Sequence, residues 1–129
     1  MNTLVIISGV FALMTTIGHF SMGSKSFLGP MLDATFDPVA RKVMHCVFHY
    51  VSTFLILSTL AMLGVGTGVI AADGASLLVQ FIAANYAAFA LWQLVLASTS
   101  GIEKGVIKLF QWIFFVLIAA FAWIGAAGL

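Results

Sequence analysis

Residues 39–65 read VARKVMHCVFHYVSTFLILSTLAMLGV, and this stretch decides the fold. Its two charged residues, Arg41 and Lys42, lie near its start, and the rest of the stretch is apolar or uncharged. That remainder exceeds the roughly 20 residues that an α-helix needs to cross the hydrocarbon core of a bilayer. An α-helix is the expected form, because lipid offers no hydrogen-bond partner to a free backbone amide. The stretch therefore predicts a transmembrane helix.

Three further segments have the same character, and they cover residues 2–22, 75–97 and 105–128. Over the whole chain, 63% of the residues are hydrophobic and 7% are charged, whereas a soluble domain carries roughly 25% charged residues. A soluble fold of this length could not bury so much apolar surface in one core. We therefore predict an all-α membrane protein whose single domain, residues 1–129, is a bundle of four transmembrane helices.

The remaining composition limits the expected partners. The net charge of +1 provides no basic field that would attract nucleic acid. The single cysteine, Cys46, excludes an intramolecular disulfide. The first apolar segment is interpreted as a retained helix and not a cleaved signal peptide, because no Lys or Arg precedes Lys25. The lipid bilayer is thus the expected surrounding of the chain.

Helix boundaries are marked by capping residues and turn residues. Asp37 is expected to cap the second helix, and Pro38 suits its first helical position. Ser100 and Glu103, three residues apart, predict a capping box before the fourth helix. Residues 23–40 mix charged and apolar side chains, which favours a loop with a short segment at the membrane interface. The residues expected to end the second helix or to precede the third are Gly64, Gly66, Gly68, Asp73 and Gly74.

All the basic residues fall on one side of this predicted topology. They flank the first and third loops and are Lys25, Arg41, Lys42, Lys104 and Lys108. The opposite side holds only Asp73 and the two termini. Because cytoplasmic loops carry an excess of Lys and Arg, the first and third loops are predicted to be cytoplasmic. Both termini would then lie on the outer side of the membrane, which is the periplasmic side if the membrane is a bacterial inner membrane.

Small residues recur at helical spacing in the third and fourth segments. They are Ala83, Ala84, Ala87, Ala88, Ala119, Ala122 and Ala126. Small residues allow close approach of helices in lipid. A compact bundle accounts for them, and a homo-oligomer or a place in a larger membrane complex is compatible with the same pattern.

The three histidines are expected at one level of the membrane. His19 lies near the cytoplasmic end of the first helix, and His45 and His49 lie in the opening turns of the second. Residues four apart share a helix face, so His45 and His49 could hold one metal ion with His19 as a third ligand. Gln93, Asp37 or a water could be the fourth ligand. Sulfur atoms that would suit copper belong to Met22, Met31, Met44 and Cys46.

A redox cofactor is the alternative occupant of this site. His19 with His45 or His49 could provide the two axial ligands of a b-type haem. A quinone head group would instead use a histidine and an amide near the interface, with an indole ring against it. The residues expected to contact such a cofactor are Gln93, Trp92, Gln111 and Trp112. A transition metal (copper, iron or zinc) and haem b both remain open at this point.

Two readings of the histidines need no ligand. They could relay protons, or they could hydrogen-bond between helices, which contributes about 0.6 kcal/mol per contact on average. No acidic residue lies within a predicted span and no glycine-rich phosphate loop is present. We therefore predict no catalytic residues and do not expect an enzyme that acts on its own.

Short motifs in the first half of the chain resemble a known group of proteins. The motifs are Gly18-His19-Phe20-Ser21, Leu28-Gly29-Pro30, and the pair His45 and His49. Their order resembles that of small four-helix inner-membrane proteins of bacteria, a group that brings no assigned activity. The resemblance implies a bacterial inner-membrane location, and it implies that the first loop and its histidines form one unit.

Three functions compete on this evidence. The first is a protein that binds a metal ion, haem or quinone at the histidine-lined site, and this is the function we expect. The second is an accessory subunit or assembly factor of a larger membrane complex, because the chain has short loops and no soluble domain. The third is a small transporter or channel, which the scarcity of polar residues in the outer half of the bundle disfavours.

Overall fold

The structure is a computed structural model that describes residues 1–71 and 73–129. It is all-α, and no strand occurs in these residues. The elements are α1 (Thr3–Gly18), a π-helical segment (His19–Leu28), α2 (Gly29–Asp33), α3 (Pro38–Thr67), α4 (Ala75–Thr99), α5 (Gly105–Lys108) and α6 (Trp112–Ala126).

Among the described residues, three helices are long and apolar enough to cross a membrane. They are α3, α4 and the continuous helix Thr3–Asp33, which combines α1, the π-helical segment and α2. Helices of this length and hydropathy are typical of a multi-pass membrane protein. The prediction that the first helix ends near residue 22 is wrong, because the helix continues through most of the expected loop. Only residues 34–37 remain as the non-helical connection to α3.

The fourth apolar segment is interrupted. Lys104 adopts the left-handed conformation with a φ of 56°, and the backbone leaves the helical region again at Leu109, at φ −97° and ψ 61°. The apolar helix that follows, α6, has 15 residues. At about 1.5 Å per residue such a helix is shorter than the roughly 30 Å hydrocarbon core. The predicted helix over residues 105–128 is therefore two helices.

The four longer helices pack side by side in the order α3, α1, α6, α4. Contacts between α3 and α4 are sparse. An aromatic cluster joins Phe54 of α3, Tyr86 and Phe89 of α4, and Phe115 of α6. The core lies between all four helices, and its fully buried members include Val5, Leu55, Met62, Val79, Tyr86, Ile118 and Ala122. The small residues lie in this core and along an outer groove. Ala83, Ala122 and Ala126 are buried, and a groove between α4 and α6 is lined by Ala83, Ala84, Ala87 and Ala119 among others.

Glycines set the closest helix contacts. A Cβ atom built on Gly66 would lie 2.8 Å from the backbone nitrogen of Ile6, and one built on Gly125 would lie 3.0 Å from that of Val5. Only glycine allows these backbones to approach so closely. Gly66 therefore lies inside α3 and does not end it, contrary to prediction. The helix ends at Gly68, whose φ of 83° is left-handed, and Ile70 N–H then donates to Gly64 O at 2.9 Å.

The predicted start of α3 is confirmed, whereas the capping box is not. Asp37 Oδ1 accepts a hydrogen bond of 2.9 Å from Ala40 N–H, and Pro38 is the first helical residue. Ser100 instead ends α4, since its hydroxyl donates to Ala97 O at 2.9 Å and accepts from Ile102 N–H at 3.2 Å. Gly101, with a φ of 71°, then turns the chain before a helix can begin.

Hydrogen bonds near the two chain termini define one end of the bundle. Asn2 N–H donates to Gly66 O, and Asn2 Nδ2 donates to Gly125 O, both at 2.8 Å. Ser76 Oγ donates to Ala126 O at 3.0 Å. Because the helices alternate in direction, the basic residues near the α2–α3 and α4–α5 connections lie at the opposite end, which we call the basic end. There Arg41 Nη1 donates to Leu32 O at 3.3 Å and joins the end of α2 to α3.

Candidate functional site

The π-helical segment builds one wall of the candidate site. It begins at His19 and closes where Gly29 N–H donates to Ser24 O, five residues back. π-Helices are rare, and they occur frequently at functional sites. Three residues of this segment, Met22, Gly23 and Phe27, line a cavity together with His19. The change of helical period thus coincides with the site.

His19 is held in one orientation by α3. Its Nε2 lies 2.8 Å from Ser52 Oγ, and its ring stacks on Phe48 with centroids 4.1 Å apart and planes 20° apart. Ser52 Oγ also donates to Phe48 O at 3.0 Å. A hydroxyl has one hydrogen to donate. When the Ser52 hydrogen is on the bond to Phe48 O, Nε2–H is the donor to Ser52 and Nδ1 is free to accept a hydrogen bond. Nδ1 lies on the side of the ring that faces Gly23.

A cavity of about 210 Å³ lies beside His19. It is bounded by α1 with its π-helical continuation, by α3, and by the start of α6, and it is partly open to the outside. Its walls are mostly apolar, and the side chains that add polar atoms are Thr15, His19 and Gln111. An apolar cavity of roughly 150 Å³ accommodates benzene. A substituted six-membered ring therefore fits this space. The apolar lining residues include Met14, Met22, Phe27, Val51, Leu55, Phe110, Phe114 and Phe115.

Gln111 brings a hydrogen-bond donor to the cavity. Gln93 Nε2 donates to Gln111 Oε1 at 2.7 Å, which joins α4 to the start of α6. This bond fixes the Gln111 amide and leaves its nitrogen without a protein partner among the described residues. Gln93 Oε1 is buried and also has no partner among them. Buried amide groups are normally hydrogen-bonded, so this pair is the polar centre of the site.

The two tryptophans predicted to contact a cofactor lie elsewhere. Trp112 Nε1 donates to Val106 O at 3.0 Å and so ties α6 to α5. Trp92 is 64% exposed on the outer face of α4. Neither residue lines the cavity. Of the four residues predicted for cofactor binding, only Gln111 reaches the cavity, with Gln93 bonded behind it.

The three histidines do not form one group. His45 and His49 are paired, with their Nε2 atoms 3.2 Å apart, whereas His19 is bonded to Ser52. Within the part of the chain that the structure describes, no three residues among His, Cys, Asp and Glu are placed to hold a metal ion together. The expected three-histidine metal site is therefore not present in this arrangement.

The helical phase of α3 explains the separation. Residues advance about 100° around an α-helix, so His49 points about 60° away from Ser52. Ser52 is buried against α1, whereas His49 is exposed. Phe48 lies between His19 and His49. Its ring stacks on His19 and is edge-on to His49, with the Phe48 and His49 ring centroids 5.6 Å apart. The sequence positions of the three histidines predict a common depth in the membrane. They do not show that Phe48 separates His19 from His49.

Other polar residues serve the packing of α1. Ser8 Oγ donates to Ile118 O at 2.8 Å, and the hydroxyls of Thr16 and Thr59 lie 3.1 Å apart. All three residues are buried. Their hydrogen bonds are satisfied by protein atoms. The sequence signal that finds them is a hydroxyl on a helix face that is otherwise apolar.

Comparisons of the chain with protein families, with curated proteins and with solved structures find no match. The function must therefore be inferred from the site.

Proposed function

We propose that this protein binds the ring head group of a lipophilic ligand of the quinone or quinol class in the cavity beside His19. The observation that carries the proposal is an apolar cavity of about 210 Å³ with a histidine and a glutamine in its wall. Small-molecule sites are mostly apolar with a few placed polar groups that fix orientation. This cavity has that composition.

The chemistry of the polar groups favours an oxygen-bearing ring. The free N–H of Gln111 can donate to a ring carbonyl oxygen, and His19 Nδ1 can accept from a ring hydroxyl. Phe27, Phe110 and Phe114 supply aromatic surface for the ring. The open side of the cavity allows an apolar tail to extend into lipid. A porphyrin is larger than this cavity, and the haem hypothesis is the weaker one for that reason.

Binding of decyl-ubiquinone to untagged protein in detergent tests the proposal. Quenching of tryptophan fluorescence should saturate, because Trp112 is adjacent to Gln111. Loss of one hydrogen bond of about 0.5–1.5 kcal/mol should weaken affinity about 2- to 12-fold in Gln111→Leu. His19→Phe keeps a ring on Phe48 but removes both nitrogens, and it should weaken affinity by a similar factor.

Gln80→Leu is the matched control, since Gln80 lies near the start of α4, away from the cavity. It should bind like the unaltered protein. The proposal fails if the unaltered protein shows no saturable quenching. It fails equally if Gln111→Leu and His19→Phe, both shown to be helical by circular dichroism, bind as tightly as Gln80→Leu.

The membrane arrangement that we propose has four crossings. In it, α5, its connection and α6 together form the fourth crossing, and the basic end faces the cytoplasm of a bacterium. The support is the position of Lys25, Arg41, Lys42, Lys104 and Lys108 at one end of the bundle. The cavity would then lie in the cytoplasmic half of the inner membrane.

A further inference from the structure

The pair formed by His45 and His49 lies outside the cavity and has a geometry of its own. The two Nε2 atoms are 3.2 Å apart, and the ring centroids are 5.0 Å apart with planes tilted by 42°. Both nitrogens therefore converge on one point beside α3. Neither histidine lines the cavity next to His19.

We propose that His45 and His49 form a two-ligand site for a divalent transition metal ion, with Cu²⁺ as the best fit. Metal–imidazole bonds are about 2.0–2.1 Å long, so two such bonds at 90–110° place the nitrogens about 2.9–3.4 Å apart. The observed separation falls in that range. Copper heads the affinity order of divalent first-row metals for nitrogen ligands.

Binding requires only a change of tautomer. In the metal-free pair, one Nε2–H donates to the other Nε2. In the metal complex both Nε2 lone pairs point to the ion, and each ring carries its hydrogen on Nδ1. One hydrogen thus moves from Nε2 to Nδ1 of the same ring, and no oxidant or reductant is involved.

The surroundings admit the ion. His49 is exposed and His45 is half-buried. Among the described residues, no third His, Cys, Asp or Glu joins the pair, so waters would complete the coordination. Arg41, one turn earlier, has its Nη1 on the carbonyls of Leu32 and Ala34. Its charge is thus anchored on the connection between α2 and α3.

The test adds CuCl₂ to the full, untagged chain in detergent and records electron paramagnetic resonance spectra. The expected spectrum shows about one bound Cu²⁺ with two equatorial imidazole nitrogens. His45→Ala and His49→Ala should each weaken binding by at least about tenfold, because even loss of a residue that only supports a ligand costs 10- to 100-fold. The double variant should lose the two-nitrogen signal.

Two controls assign the ion to the pair. Cys46→Ser removes the exposed thiol on the same helix, and His19→Ala removes the third histidine, and both should keep the signal. An unchanged signal in the double variant would place copper at another group and overturn the proposal. Loss of the signal in Cys46→Ser or in His19→Ala would overturn it as well. This site does not depend on ligand binding in the cavity, so each proposal can fail alone.

Discussion

Ser52 is the residue that orients His19, and its removal has a predictable cost. Ser52→Ala deletes the hydroxyl that lies 2.8 Å from His19 Nε2. Hydrogen bonds between helices in membranes contribute about 0.6 kcal/mol on average and up to about 1.7 kcal/mol. We expect the free energy of unfolding to fall by about 0.6–1.7 kcal/mol, as measured by reversible denaturation in mixed micelles.

Thr53→Ala is the control for this change. Thr53 is the next residue, is exposed, and donates only to His49 O within its own helix. Its loss should leave the free energy of unfolding nearly unchanged. Equal effects of the two substitutions would show that the contact between Ser52 and His19 stabilises nothing.

Part of the cavity wall is predictable from single residues, and part is not. His19 and Gln111 stand out because polar groups in apolar helices are costly and therefore informative. Phe27, Phe110 and Phe114 carry no such signal, because a phenylalanine in an apolar segment can equally face lipid or core. Sequence likewise does not show which way an indole on an apolar helix points, and in the structure Trp92 is exposed and does not line the cavity.

At the scale of elements, Gly66 controls the contact between α1 and α3. A Cβ atom there would lie 2.8 Å from the backbone nitrogen of Ile6, which cannot move without shifting α1. Overpacking of this kind costs about 1–3 kcal/mol. We expect Gly66→Ala to lower the free energy of unfolding by about that amount in a chemical denaturation series.

Gly18→Ala is the control, and it is not expected to lower the free energy of unfolding. Nothing lies within 4 Å of a Cβ atom built on Gly18, which is also helical. Alanine is favoured over glycine in a helix by about 0.8–1.0 kcal/mol, so this variant should be as stable as the unaltered protein or more so. If both variants lost stability equally, the close contact at Gly66 would not be the cause.

Apolar segments without internal breaks are predictable as elements. The expected bounds 39–65 and 75–97 differ by no more than two residues from α3 and α4, because composition and length decide them. The first helix runs past its expected end, because the π-helical segment continues through polar residues that a hydropathy argument assigns to a loop. The helix break at Leu109 is not predictable in this way, because neither proline nor glycine occupies that position.

At the scale of the whole molecule, the residues that the structure describes form three long apolar helices and one short apolar helix. The number of crossings therefore depends on α6 alone. At about 22 Å, a helix of the length of α6 needs additional residues to cross a core of roughly 30 Å. In the proposed arrangement with four crossings, the preceding segment, α5 with its connection, supplies them, and Trp112 ties that segment to α6 through the bond to Val106 O.

The location of the C-terminus decides between three and four crossings. With the basic end in the cytoplasm, four crossings place Leu129 outside, whereas three crossings leave it inside. We expect alkaline phosphatase fused after Leu129 to be active and a green fluorescent protein fused there to be dark. Fusions after Ile102, at the basic end, should give the reverse. An inactive phosphatase and a fluorescent fusion at Leu129, with the Ile102 fusions unchanged, would mean that α6 lies on the membrane without crossing it. The wall of the cavity that holds Gln111 would then lie at the cytoplasmic interface.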